Sequence, residues 1–213
     1  MTAPRTGPDS LYALLAVAVI AFALLGLGYD REPLATIDEE TAARVGASMP
    51  SWAEWLARPF SWLGGWIGLA LLGVVSGVLL VRERAWLDFL FFLTAFAGSQ
   101  LVVPLVKDVF DRTRPDAGSA VPLPDSSAFP SGHATAGVAS LGALAVLAAE
   151  RLPDRRARVW LWSAVVVGGL AVGLSRVVLN VHFVTDVLAG WCLGIAWLAA
   201  CLLARDAVRN RRT

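Results

Sequence analysis

Apolar stretches of about 20 residues recur along this chain, the length needed to cross the ~30 Å hydrocarbon core of a bilayer as helices. They predict six spans, at 11–28, 60–81, 85–106, 131–149, 159–179 and 183–204. The expected fold is therefore all-α: a polytopic helical bundle with six transmembrane helices, forming one integral membrane domain over residues 1–213. The first stretch is read as a retained helix and not a cleaved leader. No small-residue cleavage pattern follows Gly28, and Tyr29 to Glu32 make a poor processing site.

Between the first two spans lies an outer segment, 29–59, with two helix-start signals. Thr36 with Glu39 and Ser51 with Glu54 both fit the capping box, in which a hydroxyl and a carboxylate satisfy the open amides of a first turn. Trp52, Trp55 and Leu56 give the second helix an apolar face, so a short helix lying on the outer membrane surface is expected, as a connecting loop or a wall over a lipid site. Trp62, Trp66, Trp86, Trp160 and Trp162 fall near span ends, where an aromatic belt belongs. Gly73 with Gly77, Gly169 with Gly173, and Gly190 with Gly194 are small residues four apart, a spacing that lets helices approach closely.

Composition agrees with a membrane assignment: 57% of residues are hydrophobic and 16% charged, against roughly 25% charged in soluble domains. Of the 18 basic residues, eleven fall in segments on the side of the N terminus: Arg5, Arg82, Arg84, Arg151, Arg155, Arg156, Arg158, Arg205, Arg209, Arg211 and Arg212. By the positive-inside rule both termini are cytoplasmic and the opposite face is extracytoplasmic, in a multi-pass protein of the cell's inner membrane. The arginine-rich tail from Arg205 is expected to be solvated. No basic stripe with interleaved aromatics suggests a nucleic acid partner. Cys192 and Cys201 share the last span nine residues apart, which implies neither a disulfide nor metal ligation.

Three polar clusters interrupt this pattern, all on the predicted outer face. Lys107, the only lysine, closes the third span and is followed by Arg114 and Pro115. Pro130, Ser131, Gly132 and His133 open the fourth span; Ser175 and Arg176 close the fifth; His182 and Asp186 open the sixth. The chain has two histidines, and both lie in these clusters. The residue types suit a phosphate: Lys107, Arg114 and Arg176 offer three positive charges, two of them on planar forks. Ser131 and Gly132 at a helix start would add a hydroxyl, backbone amides and the positive end of a helix dipole.

Taken together, Lys107 with Arg114 and Pro115, Pro130 to His133, and Ser175 and Arg176 with His182 and Asp186 resemble the three-part signature of the type 2 phosphatidic acid phosphatases, or lipid phosphate phosphatases. All eleven fixed positions match at the family spacing. The resemblance implies hydrolysis of a terminal phosphate from a membrane lipid phosphate or diphosphate. His182 would be the nucleophile that becomes a phosphohistidine, with its far ring nitrogen free. Asp186, four residues on and on the same helical face, would orient it, and His133 would be the general acid and base. A bell-shaped rate profile around the unperturbed histidine value of ~6.5 is expected from such a pair. Pro115, Pro130 and Ser175 would support the motifs.

Candidate substrates are undecaprenyl diphosphate, phosphatidic acid and phosphatidylglycerophosphate. Neither metal nor cofactor is expected: Asp108, Asp111, Asp116 and Asp125 surround the first cluster without an obvious partner on another segment and are read as solvated. The same phosphohistidine could serve a phosphotransferase, and the pocket could belong to a non-hydrolytic lipid or anion transporter. The signature also resembles that of vanadium haloperoxidases, which are soluble, so six spans count against them.

Overall fold

A computed structural model describes residues 7–115 and 118–211; Arg5, Asp116 and Arg212, named above, lie outside them. The described chain is eight helices: α1 (Pro8–Gly28), α2 (Leu34–Ser48), α3 (Ser51–Gly64), α4 (Trp66–Arg82), α5 (Trp86–Lys107), α6 (Gly132–Arg151), α7 (Arg155–Val178) and α8 (Val184–Asn210). Five of them, α1, α5, α6, α7 and α8, are each long and apolar enough to cross a membrane, and α3 and α4, bent by 49° at their junction, pass the same test only when taken together as one.

The bundle is built around α6, whose sequence is dominated by alanine and glycine. Its buried residues run from Ala134 to Leu147 on nearly every side, and it packs against α5, α7 and α8. Small side chains inside and large ones outside is the membrane arrangement, because lipid accepts leucine and valine as readily as a protein core does. Leu24, Val17, Val74 and Val167 accordingly point outward, as do the belt residues Trp62, Trp66, Trp86, Trp160 and Trp162. α1 lies along α8.

Gly190 and Gly194 of α8 sit directly on α6. A Cβ on Gly190 would lie 2.6 Å from the Ser131 carbonyl oxygen, and one on Gly194 would lie 2.7 Å from that of Thr135. Gly173 accommodates the Trp191 ring, whereas a Cβ on Gly169 would meet nothing closer than Val138 at 3.8 Å. The three pairs are thus unequal, and the pair on α8 sets the helix spacing beside the polar clusters.

Three expectations change. The span expected at 60–81 is two helices, because Gly65 takes an extended conformation (φ −75°, ψ 167°) between them. Gly64 just before it approaches Val172 of α7 so closely that a Cβ would lie 2.2 Å from the valine methyl; a hydropathy window averages over this break. The surface helix expected from Ser51 therefore continues to Gly64, with Trp52 and Trp55 outward and Ala57, Ser61 and Gly64 buried.

Neither capping box forms. α2 starts at Leu34, two residues before Thr36, whose hydroxyl bonds Glu32 within the helix's approach. α3 starts at Ser51 with Pro50 as its cap. The arginine tail is not all solvated either: α8 runs on to Asn210, which carries Arg205 into the bundle. There its guanidinium holds Asp88 of α5 at 2.5 Å and Glu150 of α6 at 2.8 Å, and Arg209 joins the same two carboxylates.

Gly190→Ala is expected to destabilise the protein by about 1–3 kcal/mol through overpacking against the α6 backbone. Gly169→Ala should stay within about 0.5 kcal/mol. Thermal unfolding of both variants in one detergent checks the difference; equal melting would refute the α6–α8 contact as the tight one.

Candidate active site

The polar clusters meet where α5 ends, α6 begins, α7 ends and α8 begins. The turn after α7 is a Schellman motif: Asn180 adopts φ 53°, its N–H bonds the Val177 carbonyl at 2.8 Å, and the Val181 N–H reaches back to Arg176 at 3.1 Å. Asparagine tolerates the left-handed conformation that this stop requires. The reversal keeps Arg176 on α7 and His182, six residues later, in one pocket.

α8 then begins at Val184 with Phe183 as its cap. Asp186 occupies the third helical position, and its Oδ2 accepts from the Phe183 N–H at 2.8 Å and faces His182 Nδ1 at 3.3 Å. The expected relation on one helical face is corrected here: His182 precedes the helix, and Asp186 reaches back over the helix start to meet it. Both are buried. The contact makes Nδ1 the protonated nitrogen, donating to the carboxylate, and leaves the lone pair on Nε2. That far nitrogen is not free, as expected, but lies 3.2 Å from Arg114 Nη1.

Burial pushes the His182 imidazole down to about 4, and the Asp186 contact only partly offsets it. Burial likewise lowers Arg114 from its ordinary value, with Asp186 acting in the opposite sense. His182 is thus neutral at neutral pH, with its basicity suppressed by lack of water and not by loss of its carboxylate.

The long segment between α5 and α6 is folded around its own basic residues. Lys107 Nζ bonds the Ser127 carbonyl. Arg114 donates to the carbonyls of Pro124 and Ser126, each at 3.1 Å, and of Val181 at 2.8 Å. Phe110 and Phe129 stack with Phe22 and Tyr29 from the end of α1, which ties the segment to the bundle. Pro115 and Pro130 are buried beside it. Asp108, Asp111 and Asp125 are exposed.

Ser131 caps α6. Its N–H is taken by the Asp186 carbonyl at 2.9 Å, so the expected cradle loses that amide, while the Ser131 hydroxyl is buried with no partner among the described residues. Gly132 opens the first turn, with a Cβ position 3.3 Å from Val103. His133 follows, and the charges of Arg176, His182, Arg114 and Lys107 all act on it. A Cβ on Gly65, at the break between α3 and α4, would lie 3.3 Å from His133 Nε2. Arg176 is buried and bonds the Ser61 hydroxyl of α3. Ser175 turns away, its hydroxyl on the Val172 carbonyl at 2.6 Å.

Two residues at this site had no part in the sequence reading. Arg112 Nη1 holds Asp186 Oδ1 at 2.6 Å, and its Nη2 holds Asp38 of α2 at 2.7 Å. Arg112 lies two residues before Arg114 in an extended stretch, where alternate side chains face alike only if the backbone stays regular; here the two arginines take different partners. Asp38 had a faint signal, since Leu34, Asp38 and Ala42 fall four apart on one face of α2 with the acid in the middle.

The PAP2 superfamily model matches residues 88–209. The chain is 29% identical over 177 residues to the phosphatidylglycerophosphatase B of Bacillus subtilis, covering 82% of this chain and 86% of that protein. It is 37% identical over 136 residues to a decaprenylphosphoryl-5-phosphoribose phosphatase of Mycobacterium tuberculosis, covering 61% and 66% of the two chains. A crystal structure of a transmembrane PAP2 type phosphatidylglycerolphosphate phosphatase from Bacillus subtilis superposes with a TM-score of 0.83 at 25% identity, over 93% of this chain and 97% of that one. The fold, the span of the family match and the meeting of the three motifs agree: the chain belongs to the PAP2 superfamily of lipid phosphatases.

Proposed function

We propose that this protein hydrolyses the terminal phosphate of a membrane lipid phosphate or diphosphate through a phosphohistidine on His182, without a metal ion. The observation that carries this reading is that the cations of the site sort into two kinds. Arg112 holds the carboxylates of Asp38 and Asp186 at ion-pair distance. Lys107, Arg114 and Arg176 hold none among the described residues and are positioned by carbonyl and hydroxyl oxygens instead. Their charge is left uncompensated, and a phosphoryl group with three charged oxygens is the ligand that balances it. Arg176 Nε and the Ser131 hydroxyl, both buried and without a partner among the described residues, add donors.

In the first step the His182 Nε2 lone pair attacks phosphorus, the bond from phosphorus to the lipid oxygen breaks, and His133 gives that oxygen a proton. Asp186 stabilises the ring cation that results by accepting from Nδ1. In the second step water attacks the phosphohistidine, His133 takes its proton, the N–P bond breaks and inorganic phosphate leaves. Arg114 Nη1, 3.2 Å from Nε2, is within reach of the oxygens of a phosphoryl group on that nitrogen. The arginine distribution supports cytoplasmic termini and an extracytoplasmic pocket. The relatives' names support a lipid whose polar end carries a phosphate ester, with phosphatidylglycerophosphate, phosphatidic acid and undecaprenyl diphosphate as candidates.

Purified protein should release inorganic phosphate from at least one lipid of that panel with chelator present; abolition by chelator overturns the metal-free route. His182→Ala should lower kcat by at least ~10⁴-fold and abolish covalent phosphate labelling together. Label surviving in that variant would move the nucleophile elsewhere.

The attacking form of His182 is neutral, and burial holds its protonation near pH 4. Activity limited by this group is therefore retained as pH falls through 6 and lost only below about 5. The acid limb of kcat/KM should lie near 4, well below the ~6.5 expected from sequence alone. An acid limb of kcat/KM at 6 to 7 in the wild-type protein would contradict this.

Gly65→Ala places a methyl 3.3 Å from His133 Nε2 and also 3.2 and 3.4 Å from the Trp62 and Ser61 carbonyls, in a backbone conformation any residue adopts. It should lower kcat about 10- to 100-fold, beyond what its modest fall in melting temperature explains. Full activity in this variant would remove His133 from the reacting centre.

A further inference from the structure

We propose that Arg112, anchored by Asp38 of α2, is the positioning residue that holds Asp186 against His182. The proposal rests on the reading above that His182 is the nucleophile. Asp186 Oδ1 takes Arg112 Nη1 at 2.6 Å, which leaves Oδ2 to face His182 Nδ1. The other arm of the same guanidinium, Nη2, is on Asp38 Oδ2 at 2.7 Å. Thr185 closes the ring: its hydroxyl accepts from Arg112 at 2.6 Å and donates to Asp38, and its N–H donates to Asp38 Oδ1 at 3.1 Å. The guanidinium plane is clasped between the rings of Tyr29 and Phe183, at 4.5 and 4.3 Å from their centroids. Both Nη atoms and both faces of this group are thus engaged by the protein, which sets it apart from Lys107, Arg114 and Arg176.

The two carboxylates matter differently. With Asp186 alone, Arg112 would close a bidentate pair on it and draw both oxygens away from the imidazole. Asp38 holds the second arm, so Asp186 keeps one oxygen for His182. Asp38, Arg112 and Asp186 together carry one net negative charge, which balances the imidazolium that forms when phosphorus is attacked. The outer helix α2, which the signature leaves unspecified, is thereby part of the machinery. The other charged groups acting on His182 are Arg114 from the α5–α6 segment, Arg176 from α7 and His133 from α6; the two arginines are unaltered in the variants below, and His133 is replaced alike in every titrated variant and its reference.

With only two histidines in the chain, a His133→Gln background leaves His182 as the sole imidazole. Nitrogen NMR of histidine-labelled protein, carried on a tag without histidine, then reads its titration directly. Asp38→Asn removes a negative charge and should lower the His182 midpoint; Arg112→Gln removes a positive one and should raise it, each by roughly half a unit or more. Glu40→Gln, on the exposed face of α2, should move nothing. In the chain that retains His133, Asp38→Asn should cut kcat about tenfold with KM within about twofold.

Shifts in one direction for both variants, or none, overturn the proposal, since loss of packing alone has no reason to follow the sign of the charge. Should Arg112→Gln fail to fold, Arg112→Lys keeps the charge without the fork. It should leave the midpoint in place while kcat falls, and unchanged kcat would overturn the proposal. If wild-type protein releases no phosphate from any lipid phosphate, the phosphatase reading fails while the titration still reports on the relay.

Discussion

A carboxylate with no exposure to water must have all its hydrogen-bonding capacity met, and at Asp186 meeting it draws four segments together. Its side chain takes the Arg112 guanidinium, the Phe183 amide and the His182 imidazole, while its backbone carbonyl takes the Ser131 amide that starts α6. Removing any one partner leaves a buried lone pair unsatisfied. The register of α6 against α8 follows from this as much as from Gly190 and Gly194, because those glycines only permit an approach that the polar contacts then fix.

The two ends of the bundle use arginine in opposite ways. At the end where α8 finishes, Arg205 and Arg209 are neutralised by Asp88 and Glu150, which closes α5, α6 and α8 into a charge-balanced clamp. At the end where α8 starts, Arg114 and Lys107 rest on backbone carbonyls, whose dipoles fix their position while leaving the net charge intact. Carbonyls supply geometry without neutralisation, as the proposed phosphate site requires of its cations. Arg112 stands among the ligand-type cations yet belongs with the structural ones.

The spans were legible because bilayer burial is a property of composition over about 20 residues. The three motif clusters were legible because each lies at the end of a span, and helices of similar length bring like ends together. What stayed hidden depends on single residues and on pairs far apart in sequence. The break at Gly65 is one residue in extended conformation inside an apolar run. Asp38 and Thr185 are 147 positions apart, and Arg112 and Asp186 are 74 apart, so nothing local marks them as partners. Arg205 looked like a topology signal because its acids lie on other helices. The helical face expected to carry both His182 and Asp186 was the wrong periodicity: the helix starts one residue after His182's neighbour Phe183 begins its cap, and only the aspartate is helical.

On the proposed mechanism a buried histidine nucleophile faces conflicting demands, and these give the aspartate a use for Arg112. The imidazole must be neutral before attack, and burial secures this; it must also tolerate a positive charge after attack, and only a nearby carboxylate supplies that. An unopposed pair of buried carboxylates would protonate the ring early and silence the nucleophile. A carboxylate fully neutralised by its own arginine would leave the imidazolium unsupported. Dividing one guanidinium between Asp38 and Asp186 lies between these extremes: it lowers the negative charge beside His182 without cancelling it, and it does so through a helix outside the motifs. The position of α2 over the α8 start is therefore an electrostatic setting of the site as well as a packing detail.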